Sequence, residues 1–185
     1  MFRNTKHSRR GFLRQAAKLL VAGGGFHFAC KAQALPANAR SLAFNHTHTG
    51  EQVSVVYAIG DQYLPESLAV FNHFLRDHYT GEIGVIDPQL FDLLYRLKQT
   101  LGCEQAFDVI SGYRCTATNA RLRGTRGGGV ARHSLHMEGK AIDIRLAGVP
   151  LSDLHDAALS LRLGGVGFYQ RERFVHVDTG RVRNW

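Results

Sequence analysis

Ser134-Leu135-His136-Met137-Glu138-Gly139-Lys140-Ala141-Ile142-Asp143-Ile144-Arg145 reads as a loop that turns at Gly139 and runs into a strand; Phe174-Val175-His176-Val177-Asp178 reads as a second strand. Side chains alternate faces along a strand, so Asp143 shares a face with Ala141, and His176 shares one with Phe174 and Asp178. If the two strands pair, Asp143 and His176 become cross-strand neighbours. A turn at Gly139 brings His136 over the same face, and the small side chain of Ala141 leaves room there. Two imidazoles and one carboxylate are a donor set for a catalytic zinc that keeps its fourth position for water. The competing reading is two hydrogen-bonded sheet histidines, with Asp143 paired to Arg145 or Arg114.

Such a zinc lowers the pKa of its bound water to about 7 and polarises a carbonyl, and peptide hydrolysis needs both. It also needs a general base near the water. Asp178 lies on the correct strand face and is the first expectation for that role. Glu172, in the turn 170–173, is the alternative, and Glu138 is a third.

The rest of the chain supplies a frame for these strands. Residues 35–41 read as a flexible lead-in. Residues 42–45 and 52–59 read as a hairpin around Thr49-Gly50-Glu51. Residues 65–76 read as a helix with Leu68, Phe71, Phe74 and Leu75 on one side. Asp87-Pro88 is a helix start, with Asp as N-cap and Pro in the first turn, and Gly102 is its stop. Phe91, Leu94, Leu97 and Leu101 fall at helical spacing between them. Residues 107–111 read as a strand, 116–122 as a short helix, 152–163 as a helix and 166–169 as a strand. Residues 123–132, with Gly124 and Gly127-Gly128-Gly129 among arginines, read as a mobile flap beside the site. That loop lacks the Lys-Ser/Thr pair of a phosphate cradle.

The chain has 185 residues and a formal charge of +8. Residues Met1–Ala34 hold seven Lys or Arg and no Asp or Glu. They contain Ser8-Arg9-Arg10-Gly11-Phe12-Leu13-Arg14, close to the twin-arginine export pattern, and then a mildly apolar run. Ala32-Gln33-Ala34 matches a cleavage site, so residues 1–34 are expected to be an export signal and 35–185 the mature domain. Without the signal, sixteen basic residues face fifteen acidic ones, a net charge near +1. The basic character belongs mostly to the signal and gives no support to nucleic-acid binding. No run of the mature part is long enough to span a membrane. Export places Cys103 and Cys115 in an oxidising compartment, so a disulfide between them stands beside the alternative of two free thiols.

Ser134-x-His136-x-x-Gly139-x-Ala141-x-Asp143 with His176-x-Asp178 resembles the zinc D-Ala-D-Ala carboxypeptidases and murein endopeptidases, the M15-type peptidases that share the fold of the Hedgehog N-terminal domain. The similarity is greatest to their exported murein endopeptidase K subgroup. His48-Thr49-Gly50-Glu51, Ser111-Gly112-Tyr113-Arg114, Val166-Gly167-Phe168-Tyr169 and His176-Val177-Asp178-Thr179-Gly180-Arg181 agree with it, through Trp185. The resemblance implies an α+β domain with a central antiparallel sheet flanked by helices, and one zinc per chain on His136, Asp143 and His176. It implies hydrolysis of the peptide crosslinks of bacterial peptidoglycan; the export signal makes the periplasm the expected location, and a monomer is the expected state. Arg114 is expected to hold a substrate carboxylate, with Ser134 and Tyr113 beside it. One position departs from the pattern. Many relatives carry the catalytic carboxylate three residues before the last histidine, where this chain has Arg173. The alternative function is therefore a zinc-containing wall-binding module without catalysis, and a metal-free structural domain is a third.

Overall fold

The computed structural model describes residues 36–125 and 130–185. The expected export signal lies outside these residues, as do positions 126–129 of the glycine-rich flap. Eight strands form one sheet: β1 (Ala39–His46), β2 (Gln52–Ile59), β3 (Gln62–Tyr63), β4 (Phe107–Ser111), β5 (Ala141–Leu146), β6 (Gly165–Tyr169), β7 (Phe174–Asp178) and β8 (Arg183–Asn184), in the spatial order β3-β2-β1-β4-β5-β7-β6-β8. Five pairings are antiparallel, as expected, whereas β1 with β4 and β6 with β8 are parallel. The four helices are α1 (Pro65–Phe74), α2 (Pro88–Leu101), α3 (Thr116–Thr125) and α4 (Leu151–Leu161).

Local chemistry sets these elements. The Asp87 side chain accepts from the Gln89 N–H at 3.0 Å, Pro88 occupies the first turn of α2, and Gly102 closes the helix with φ +60°. The apolar stripe of α2 then packs with α1 and α4 on one face of the sheet. Phe44, Tyr57, Phe71, Phe91 and Phe107 are fully buried in this core, and Phe71 and Phe91 sit 4.7 Å apart between ring centroids. Burying each such aromatic ring contributes about 1.5–3 kcal/mol.

Two expectations need correction, and one open alternative takes a side. The lead-in is not loose along its whole length: β1 begins at Ala39, because Ala39 and Arg40 pair with Ile59 and Ala58, and the Arg40 guanidinium bonds to Asp92 and to the Gly60 carbonyl. The flap begins later than residue 123, since α3 runs to Thr125. Cys103 and Cys115 are free thiols. They sit beyond opposite ends of β4, whose five residues span about 13 Å, whereas a disulfide tolerates about 7 Å between Cα atoms. The buried Cys115 sulfur lies instead beside the Thr118 hydroxyl at 3.6 Å.

The face away from the helices carries the polar row. Cross-strand pairing aligns Ser111 with Asp143, Asp143 with His176, and His176 with Gly167, so one row crosses β4, β5, β7 and β6. Alternation alone would put Ser111 on the face of Val109, which is in the core. The register shift between Val109 and Ser111 turns Ser111 over to the face of Asp143.

Candidate metal centre

His136 comes from a turn of 3-10 helix, Leu135–Glu138, between Ser134 and Gly139. The Ser134 hydroxyl caps this turn by accepting from the His136 N–H at 3.4 Å. Gly139 ends it with φ +67°, and a Cβ there would lie 2.0 Å from the Val85 carbonyl oxygen, so only glycine fits. The Asp87 N–H donates to the Gly139 carbonyl at 2.9 Å, tying the loop to the start of α2.

His136, Asp143 and His176 are all buried, and one ligand atom from each lies within 4.8 Å of the others. His136 Nε2 is 3.2 Å from Asp143 Oδ1 and 3.2 Å from His176 Nδ1, and His176 Nδ1 is 2.8 Å from Asp143 Oδ1. The outer atoms of both rings define their tautomers. His136 Nδ1 lies 2.7 Å from the Gly112 carbonyl oxygen and must donate to it. His176 Nε2 lies 3.1 Å from Asp178 Oδ2 and donates there. With the outer nitrogens protonated, both inner nitrogens present lone pairs to Asp143 Oδ1. Three acceptors facing one another repel unless a cation lies among them, so the donor set fits a metal ion.

The electrostatics agree. Burial pushes the His176 imidazole down, but its bonds to Asp143 and Asp178 outweigh this and raise it, so the site attracts positive charge. Burial and the Arg114 charge push His136 down to about 4. Burial would raise the Asp143 carboxyl, yet His136 and Arg114 hold it well below the usual carboxylate range. Arg114 forms an ion pair with Asp143, and its Nε donates to the Ser111 hydroxyl at 2.7 Å.

Asp178 does not stand where a base is needed. It is fully buried on the far side of the His176 ring. Its oxygens accept from the Gly165 and Gly180 N–H groups at 3.0 and 2.9 Å and from the Arg183 guanidinium at 2.7 and 3.1 Å, besides His176. Burial acts to raise the Asp178 carboxyl, but these bonds hold it far below its ordinary value. From there it fixes the tautomer of the His176 ring and leaves Nδ1 free to face His136 and Asp143. Glu172 is exposed in the turn after β6 and is not among the residues lining the cleft. Glu138 is exposed and paired with Lys140 at 2.9 Å. Arg173, at the position of the expected carboxylate, has φ +59° and lines a separate hollow with Asp108 and Arg145.

The cleft over His136, Asp143 and His176 has a volume of about 300 Å³. Arg114 and Ser134 line it as expected. Tyr113 does not: its ring packs against Gly84 and its hydroxyl donates to Glu82 at 3.0 Å. Arg123 and Arg132 line a neighbouring hollow, and Arg121 stacks over Tyr79 at 4.0 Å. His133, Tyr169, Arg183 and Trp185 also line the cleft without having been expected there. The Gly112 carbonyl has no side-chain signal at all.

The family model described as "Peptidoglycan L,D-endopeptidase MepK" matches residues 34–185. The chain is 45% identical to the protein of that name from Escherichia coli (strain K12), over 91% of this chain and 95% of the relative. It is 43% identical to the "Probable peptidoglycan L,D-endopeptidase MepK" of Haemophilus influenzae, over 79% and 78% of the two chains. The family model spans the polar row, the 3-10 turn and the cleft alike, and the chain belongs to the MepK family of M15-type peptidases.

Proposed function

We propose that this chain is an exported murein endopeptidase, a zinc metallopeptidase that hydrolyses peptide crosslinks of bacterial peptidoglycan. The names of its relatives, peptidoglycan L,D-endopeptidases, support the reaction class and the substrate. The observation that carries the reading is the convergence of two imidazole lone pairs and one carboxylate oxygen, with the outer nitrogen of each ring committed to a donor role.

His136, Asp143 and His176 would hold one zinc per chain. When bound, zinc supplies Lewis-acid polarisation of a carbonyl and a water acidic enough to ionise near neutral pH. Asp178 keeps the His176 ring in its ligating tautomer, and Arg183 keeps Asp178 ionised. Arg114 offsets the charge of Asp143 and offers its remaining N–H groups to a substrate carboxylate at the cleft. Asp143 is the only carboxylate among the described residues lining the cleft, so His133, the imidazole outside the ligand set, and the Tyr169 phenol are the acid–base side chains left to exchange protons with substrate. A twin-arginine signal in residues 1–34 would deliver the mature domain to the periplasm, where it would act as a monomer. No helix of the described residues is long and apolar enough to cross a membrane.

The test is digestion of purified crosslinked muropeptides with the mature protein. Monomeric muropeptides should appear, and a strong chelator or His136→Ala should abolish them. Binding to sacculi with no released product would overturn the reading in favour of a wall-binding module.

A further inference from the structure

The polar row ends at Gly167, and the space a side chain would fill there is taken by an indole. A Cβ at Gly167 would stand 2.7 Å from Trp185 Cε2, and the Trp185 ring lies 5.3 Å from the His176 ring. The indole is held from several directions. The Trp185 N–H donates to the Val166 carbonyl at 3.2 Å, and the Trp185 carbonyl accepts from the Phe168 N–H at 3.1 Å. Nε1 donates to the Tyr169 hydroxyl at 2.9 Å. The Arg183 guanidinium, itself fixed to Asp178, lies 4.9 Å from the ring centroid. The ring nevertheless remains 49% exposed and borders the cleft together with Tyr169 and Phe174. Single exposed apolar residues are ordinary. This one is immobilised beside the metal centre.

The cleft therefore has two unlike ends. Arg114 is anchored on Ser111 and Asp143 at one end of the row, and Trp185 covers Gly167 at the other. Three strand spacings, about 14 Å, separate Ser111 from Gly167, with the ligand set between them. We infer that Trp185 is a substrate-binding and specificity residue, whose exposed face takes the aliphatic side-chain stem of the crosslinking diamino acid. This rests on the endopeptidase reading above. A crosslinked peptide carries a carboxylate and, several bonds away, a run of methylenes ending in the acylated amine. A cation at one end of the cleft and a rigid aromatic face at the other match that spacing of chemistries.

Trp185 is the single tryptophan of the chain, so its emission reports on the site without interference. The zinc-loaded protein is titrated with a crosslinked muropeptide dimer whose scissile amide has been reduced to an amine. A saturable change in emission is expected, with a much weaker response to an uncrosslinked monomer. In hydrolysis assays, Trp185→Ala should raise KM about ten-fold with kcat and zinc content little changed, while Trp185→Phe stays within a few-fold of wild type. Unchanged emission in a protein that cleaves the dimer overturns the inference, as does a lower Tm with KM unchanged in Trp185→Ala. A response to a chitin oligosaccharide in place of the dimer would also overturn it, because the ring would then face the glycan. Should Trp185→Ala fail to fold, the titration and the Phe variant decide. A saturable response without cleavage leaves the inference standing and sinks the endopeptidase reading instead.

Discussion

Two clusters of histidines lie along this sheet, and only one of them is fit to hold a metal. His136 and His176 sit 5.0 Å apart between ring centroids. His46, at the end of β1, lies 5.4 Å from His78, whose ring stacks on His48 at 4.3 Å. By proximity the clusters are equivalent. They differ in the partners of the outer nitrogens. His136 and His176 donate outward to the Gly112 carbonyl and to Asp178, and so turn lone pairs inward. His46 Nδ1 instead faces two donors, the N–H groups of His48 and Thr49 at 3.2 and 3.4 Å. Its lone pair is thereby spent, and the ring proton lies on Nε2, which is buried without a partner among the described residues. The nearby Asp77 is occupied with the N–H groups of Cys115, Tyr79 and Thr80. The tautomer, set by atoms outside the cluster, decides which histidines can ligate.

Asp178→Asn breaks the comparison most severely, since an amide can present N–H to His176 and permit the wrong tautomer. Metal affinity should fall about 10–100-fold, measured by competition with a chromophoric chelator, and hydrolysis should recover at saturating zinc. A variant that keeps its metal and stays inactive would return Asp178 to the role of base.

One histidine of each cluster, His176 and His78, should respond to acid in opposite senses. His176 is raised in the metal-free fold, so its proton adds stability that is present below the ordinary imidazole pKa and is lost as pH rises through the raised value. Metal competes with that proton, so the affinity for zinc should weaken as pH falls below the same value. His78 is pushed down to about 4 by burial and by its histidine neighbours. The unfolded chain then binds more protons between about pH 6.5 and 4, and stability falls with pH across that window. Denaturant unfolding of the metal-free protein should show this acid loss reduced in His78→Phe. An identical loss in both proteins would contradict the assignment.

The smallest effect belongs to the hairpin beside the second cluster. Glu51 binds Arg76 through two bonds of 2.9 and 3.0 Å at a half-buried position near the surface. Glu51→Gln should cost about 1 kcal/mol or less in unfolding experiments and leave hydrolysis unchanged. A large loss of activity would give the His48-Thr49-Gly50-Glu51 segment a catalytic role.

Sequence reading went furthest where a residue's chemistry is local. Asp87, Pro88 and Gly102 bound α2 because capping depends on neighbours in the chain. The meeting of Asp143 and His176 was legible because alternation along β5 and β7 puts them on facing positions. Alternation also put Asp178 on that face, but whether a residue two positions from His176 lies before the ring or behind it depends on the rotamer of His176. The two-residue strand β8 has no periodicity, so nothing announced that it carries Trp185 to the cleft. The bulge that turns Ser111 over is a property of pairing with β5, and only the partner strand reveals it.

The most direct test of this account is the zinc content of the purified mature protein and its histidine variants. One zinc per chain is expected in the wild type and in His46→Ala, and none in His176→Ala. Zinc retained by His176→Ala, or lost only from His46→Ala, would contradict the assignment of the metal centre.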